Sequence, residues 1–178
     1  MAILAGRKVA RSSSRPPLYT PSQRARRDKS AWTIVQGILA PIQFAVFLVS
    51  LGLVIRALIT GTGHDAATLS IVIKTMILYV IMVTGAIWEK VIFGQYLFTK
   101  SFFWEDVFSM AVLALHTAYL AALFGKWLAP DALLWLALAA YAAYVVNAVQ
   151  FLLKLRAARL QSSAETDPLM AQAGQVAV

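Results

Sequence analysis

Four stretches of this chain, roughly 32–59, 68–93, 102–124 and 132–153, stay apolar over at least the ~20 residues a helix needs to cross ~30 Å of hydrocarbon. In lipid the backbone must satisfy its own hydrogen bonds, so segments of this length are helices. The strings between them, TGTGHDAA, GQYLFTKS and GKWLAPD, are short and carry the Gly, Thr, Pro and Asp of turns. Consecutive helices are then antiparallel neighbours. The expected fold is all-α: an integral membrane up-down bundle of four transmembrane helices over residues 31–160. Composition agrees, since 60% hydrophobic residues, 13% charged residues and a mean hydropathy of +0.71 exclude an ordinary soluble domain.

The flanks differ in charge. Residues 1–30 hold Arg7, Lys8, Arg11, Arg15, Arg24, Arg26, Arg27 and Lys29 against Asp28 alone, so this arm carries +7 of the net +8. A basic segment directly before an apolar span is most simply an orientation signal and an anchor to anionic lipid, and nucleic acid is not the expected partner. With the arm in the cytoplasm, Lys90 and Lys100 flank the second cytoplasmic loop and Lys154, Arg156 and Arg159 follow the last helix, so both termini are cytoplasmic. Arg56 and Lys74 oppose this bias and are expected to snorkel toward the interface. The arm, extended or irregular up to Pro21, and the tail 161–178 are expected to be largely disordered. The arm lacks the apolar run of a secretory signal, although its Arg/Ser-rich composition overlaps with that of an organellar transit peptide. With no cysteine, thiolate chemistry is excluded.

Glu89, Glu105 and Asp106 stand out against this apolar background, because a charged residue at the centre of an inserted helix costs about 2.5–3.5 kcal/mol. Glu105, Ser109, Val112 and His116 recur at helical spacing and share one face of the third span, with His116 about 16 Å further along the axis. Thr75, Tyr79, Met82, Ala86 and Glu89 do the same on the second. Glu89 ends its helix and Glu105 begins the next, so both lie at similar depth and can face each other. The fourth span contributes Tyr144, Asn147, Gln150 and Lys154. The first contributes Gln36 and Gln43, around a Pro41 that can kink the helix.

Plainer roles exist for each of these. Trp88, Tyr96, Trp104 and the phenylalanines around the second cytoplasmic loop suit an interfacial belt as well as a planar-ligand platform. Asn147 and Gln150 suit interhelical hydrogen bonding. Glu89 and Lys90 suit a snorkelling pair, and Asp106 suits the start of a helix. His116 can pack, carry protons or ligate the metal of a macrocycle. Motifs for a protein-held transition metal are absent.

The strings PLYTPSQRARRD, QGILAPIQF, TGAIWEKVIFGQYLF, FFWEDVFSMAVLALHTAYL and AAYAAYVVNAVQFLLKLRAARL strongly resemble the vinyl (bacterio)chlorophyllide hydratase family of bacteriochlorophyll biosynthesis over about residues 17–160. The resemblance implies a hydro-lyase that adds water to the C3 vinyl group of chlorophyllide or bacteriochlorophyllide, giving the 3-(1-hydroxyethyl) product. No redox cofactor is implied, and the magnesium belongs to the substrate. It further implies a photosynthetic bacterium and its inner, cytoplasmic or intracytoplasmic, membrane, which removes the transit peptide. Membrane lipid and other enzymes of the pathway are the expected partners.

Water must end on the internal vinyl carbon, so a proton goes to the terminal carbon and a base deprotonates the attacking water. Glu105 is the expected acid and Glu89 or Asp106 the base, with roles interchangeable, and His116 a magnesium ligand or relay. Lys90 or Lys100 would hold the substrate propionate, and Trp88, Trp104, Tyr144 and Asn147 would line the ring. The rival readings are a non-catalytic pigment-binding or assembly protein and a small proton-coupled transporter.

Overall fold

The computed structural model describes residues 18–176, with side chains described as far as Leu160. The described residues form five helices: α1 Pro21–Lys29, α2 Ala31–Thr60, α3 His64–Phe93, α4 Phe103–Gly125 and α5 Pro130–Val176. Four of them, α2, α3, α4 and the Pro130–Leu160 part of α5, are long and apolar enough to cross a membrane. Between 22% and 33% of each one's most apolar stretch is buried in the protein. The remaining apolar faces point outward, which lipid tolerates and water does not.

Each helix end has a local cause. Thr20 and Gln23 form a reciprocal capping box ahead of Pro21, so the arm turns helical from Pro21, the residue up to which it was expected to be extended or irregular. Ser30 closes α1 and caps α2, its hydroxyl accepting from the Trp32 amide at 3.3 Å. Gly61 (φ 66°) and Gly94 (φ 83°) end α2 and α3 in the left-handed conformation. α3 begins at His64, four residues before the apolar run, with Asp65 favourably placed in its first turn. α2 is continuous through Pro41. α5 remains helical through the tail to Val176. Residues 1–17, the basic first half of the arm, lie outside the described residues, as do the tail's side chains from 161 onward.

Pairing across helices gives the topology. Thr33 meets Trp88, Gln36 meets Thr84 and Ser50 meets Ser70, so partner numbers fall as α2 is ascended and α2 is antiparallel to α3. Glu105 meets Lys154, Ser109 meets Asn147 and His116 packs on Tyr141, so α4 is antiparallel to α5. These two hairpins are the most extensive pairings, and they join through Phe47 against Tyr141 and Tyr144, and through Lys74 against His116. One apolar core runs between the hairpins around Phe47, Ile71, Val112, Tyr119 and Tyr141. A smaller one, Tyr19, Ile92 and Phe102 with Trp88, Phe93 and Phe151 packed on it, closes the end where α3 gives way to α4.

Candidate active site

All three sequence-marked carboxylates gather under that smaller core. Glu89 lies one turn before the end of α3, and Glu105 and Asp106 lie in the first turn of α4, where a negative charge suits the helix dipole. They are 5%, 8% and 4% exposed. Gly94 and Phe98 turn the chain between the two helices. Phe98 is left-handed at φ 59°, a conformation that costs a non-glycine residue about 1–2 kcal/mol. In it, the Phe98 amide donates to Asp106 Oδ2 at 2.6 Å.

Asp106 is also the residue that meets Glu89. The two carboxyl groups face each other at hydrogen-bonding range, with buried Thr99 beside them. Glu89 Oε2 has no N–H or O–H donor among the described residues. A carboxyl group donates only when it carries a proton, so this contact is a hydrogen bond when the pair shares one. Glu105 turns the other way, toward α5, where Lys154 Nζ donates to its Oε2 at 2.5 Å. That ammonium also lies 4.8 Å from the Phe102 ring centroid. The site therefore combines two facing carboxyl groups with an ion-paired carboxylate in the same helical turn.

Aromatic side chains cover this group. Phe102 packs edge-on to Trp88 at 5.6 Å and Phe93 at 5.8 Å and stacks on Phe151 at 6.1 Å. Tyr19 stacks on Phe93 at 5.8 Å, and the arm is tied down where Ser101 Oγ donates to the Leu18 carbonyl at 3.0 Å. Burial pushes the Tyr19 phenol above its ordinary value, and Arg27, whose guanidinium sits 4.8 Å over the ring, opposes that shift. Outside the cover, Tyr96, Phe98, Phe103 and Trp104 form an exposed aromatic face beside Asp106. A shallow basin of about 350 Å³ lined by Ala25, Arg26, Lys29, Ser30 and Val91 lies against α1 and has no carboxylate in its wall.

About 15 Å along α4 from Asp106, by helical rise, is a second polar group. Lys74 and His116 are both fully buried, and Lys74 Nζ lies 2.9 Å from His116 Nε2. His116 Nδ1 is 2.8 Å from the Val112 carbonyl, which only accepts, so Nδ1 carries a proton and Nε2 is the nitrogen that meets Lys74. Tyr144 at 4.3 Å, Tyr141 at 4.9 Å and Phe47 at 5.9 Å surround the ammonium with ring faces. Tyr141 hydroxyl pairs with Ser50 at 2.5 Å, and Ser50 with Ser70 at 2.7 Å.

Several sequence expectations change here. Glu89 was expected to face Glu105 and faces Asp106, because α4 begins at Phe103 and its first turn directs Asp106 at α3 and Glu105 at α5. Lys74 does not snorkel: aromatic rings and His116 hold it inside. His116 has both ring nitrogens engaged and no exposed surface, which leaves no lone pair for a substrate magnesium. Lys90 is exposed, its Nζ donating to the Gly94 carbonyl at 2.9 Å and lying 5.1 Å from the Tyr96 ring, and Lys100 is exposed nearby. Trp88 belongs to the cover, donating to Thr33 Oγ1 at 3.0 Å, whereas Trp104 is 66% exposed and faces outward. Tyr144 is buried and Asn147 half-buried, Asn147 donating to Ser109 Oγ at 2.9 Å. Among the described residues no three His, Cys, Asp or Glu side chains converge as a metal centre requires.

Sequence reasoning missed Lys154 as the partner of Glu105, Thr99 and Phe98 as neighbours of the carboxyl pair, and Lys74 with Tyr141 as the setting of His116. Only Lys154 left a signal, at four residues from Gln150 on the polar face of its helix. Thr99 and Phe98 depend on a loop conformation that no periodicity describes.

The comparisons with known proteins extend over this same region. Residues 19–157 match the family described as 2-vinyl bacteriochlorophyllide hydratase (BCHF). A 2-vinyl bacteriochlorophyllide hydratase of Rhodobacter capsulatus is 65% identical over 153 residues, covering 85% of this chain and 88% of that protein. One from Cereibacter sphaeroides is 67% identical over 148 residues, covering 83% and 91%. No solved structure matches the chain. With this match running from Tyr19 of the cover to the helix that carries Lys154, the chain belongs to the 2-vinyl bacteriochlorophyllide hydratase family.

Proposed function

We propose that this protein adds water across the vinyl substituent of a bacteriochlorophyllide-type macrocycle to give a 1-hydroxyethyl group. The 2-vinyl of the family description and the C3 vinyl above are one substituent under two ring numberings. Family membership supports the reaction, and the facing of Glu89 and Asp106 beside ion-paired Glu105 is the observation that carries the mechanism.

The proton shared by Glu89 and Asp106 passes to the terminal vinyl carbon, and the cation delocalises into the macrocycle. Glu105, ion-paired with Lys154, takes a proton from the water that attacks the internal carbon. That proton then returns to the Glu89–Asp106 pair, so the protein ends as it began and no redox cofactor is consumed. Of the interchangeable acid and base roles read from sequence, this mechanism gives Glu105 the base, because its ion pair with Lys154 suits a carboxylate that accepts a proton. The macrocycle rests on the exposed face of Tyr96, Phe98, Phe103 and Trp104, entering from the lipid side, with Lys90 or Lys100 on its propionate. The arm and both termini face the cytoplasm of a bacterial inner membrane, which puts the carboxylates at the cytoplasmic end.

The test is conversion of a vinyl bacteriochlorophyllide by purified Glu89→Gln, Asp106→Asn and Glu105→Gln proteins, followed through the blue shift and greater polarity of the product. Losses of about 100-fold or more in each are expected. Stoichiometric pigment binding without turnover in the wild type would favour a pigment carrier, and wild-type rates in all three variants would remove these carboxylates from the mechanism.

A further inference from the structure

Between the carboxylates and the Lys74–His116 pair the interior carries more hydrogen-bonding capacity than the protein satisfies. Gln43 is 2% exposed, and neither its Oε1 nor its Nε2 has a partner among the described residues. Asn147 Oδ1 and Gln150 Oε1 are buried and likewise unpartnered. These residues lie within about one helical turn of each other along the axis. Phe47 packs on Tyr144 at 4.9 Å, so Gln43, one turn nearer the carboxylate end of α2, lies beside the turn of α5 that bears Asn147. Asn147 is bonded to Ser109, one turn from Glu105, and Gln150 is one turn from Lys154.

A buried amide with no partner costs about 1–3 kcal/mol for each group left unsatisfied, which is why such groups in native proteins are nearly always met by protein or by ordered water. A single unpartnered atom is an exception to explain. Four atoms from three residues, on two helices and within about one helical turn along the axis, make a polar cluster with unmet hydrogen-bonding capacity. Its neighbours are polar or polarisable too: Ser109 on one side, the Tyr144 ring and the Lys74 ammonium on the other. Meanwhile Tyr19, Trp88, Phe93 and Phe102 close the carboxylates on the opposite side, which leaves this cluster as their polar neighbour within the bundle.

We propose that Gln43, Asn147 and Gln150 bind a short chain of ordered water molecules inside the bundle, and that this chain supplies the water added to the vinyl group. Its use rests on the hydratase reading; its presence does not. Each turnover removes one H2O, its hydroxyl going to the internal carbon and its proton to Glu105, while the terminal carbon takes the proton of the Glu89–Asp106 pair. The water chain then refills, and no charge moves across the membrane.

Two readouts test this on the full-length protein in nanodiscs, with Gln43→Leu and the near-isosteric Gln43→Met. In radiolytic hydroxyl-radical footprinting, Phe47 and Tyr144, only 3% and 9% exposed, should be labelled in the wild type because activated water lies beside them. Labelling should fall several-fold in both variants. In turnover assays with a vinyl bacteriochlorophyllide, kcat should drop about tenfold with pigment affinity unchanged, since Gln43 positions water and touches no pigment. Absent labelling in the wild type, or labelling in both variants equal to that of the wild type, overturns the water chain. Lost labelling with unchanged kcat overturns its supply role. A wild-type protein that labels as expected yet converts nothing supports the chain and removes the hydratase reading instead.

Discussion

Among the described residues, buried acidic and basic side chains gather at two places, the carboxylate end and the Lys74–His116 level, and the two are built on opposite principles. At Lys74–His116 the hydrogen-bonding groups are committed: Nε2 to lysine, Nδ1 to Val112, the ammonium to three ring faces. At the carboxylate end a carboxyl oxygen lacks a donor, two acids meet, and a left-handed phenylalanine holds one of them in place. Burial is common to both regions and so does not distinguish them. The difference lies in uncommitted lone pairs and a transferable proton, which chemistry needs and a structural joint avoids. The first region reads as a catalytic site and the second as the joint between the two hairpins.

The widest separation between the regions should come from removing the shared proton. In Glu89→Gln/Asp106→Asn, two amides can hydrogen-bond to each other but neither can protonate carbon, and turnover should fall about 10²–10⁴-fold. Folding, followed by resistance to unfolding in mixed micelles, should change little. A double variant that unfolds readily but keeps its rate would reverse the two assignments.

The joint should respond the other way. Lys74→Ala opens a cavity and leaves His116 Nε2 without a partner, and a loss of about 2–4 kcal/mol in unfolding free energy is expected. Lys74→Met/His116→Phe removes both partners and roughly keeps their volume, so it should be more stable than Lys74→Ala. Pigment affinity of the folded fraction should be that of the wild type in both. Weakened affinity in the double variant would restore His116 as a substrate ligand.

How far these two regions were legible in the sequence follows from what periodicity encodes. Four apolar runs identify four spans, because the ~20-residue length is imposed by the bilayer and not by packing. The 3.6-residue repeat placed Glu105, Ser109 and His116 on one face and Glu89 at the depth of α4's start. It could not choose between Glu105 and Asp106 as the partner of Glu89, since a one-residue step turns a side chain by about 100° and the helix start had to be known to that precision. Lys74 was misread because charge statistics describe the lipid-facing case, while three aromatic rings and a histidine from three other helices make an interior one. Phe98 and Thr99 were illegible, their positions depending on a single φ in a loop.

A smaller effect should separate Glu105 from its neighbours. Lys154→Met leaves a buried carboxylate without its cation and Glu105→Gln leaves the ammonium without its anion, so each single change should cost more than the two together. A double-mutant cycle on stability should give a coupling of about 1–3 kcal/mol. In turnover, Lys154→Met should act only through Glu105, so adding it to Glu105→Gln should lower the rate no further. Additive losses in turnover would mean that Lys154 touches the substrate on its own account.

The slightest change belongs to the cover. Tyr19→Phe keeps the stacking on Phe93 and Phe102 and removes only the hydroxyl, so turnover at neutral pH should stay within about twofold. The alkaline side is where the variant should show itself. With its folded pKa raised by burial above the unfolded value of 10.0, Tyr19 stays neutral in the native protein while the unfolded chain ionises. The unfolded state then binds fewer protons, and stability falls as pH rises through about 10, levelling off only beyond the folded pKa. Thermal unfolding of the two proteins from about pH 8 to about pH 11 should therefore give parallel curves at first, then a steeper decline in the wild type than in Tyr19→Phe. Parallel decline throughout would mean that the phenol is open to solvent, and that the aromatic cover over Glu89 and Asp106 does not keep bulk water out.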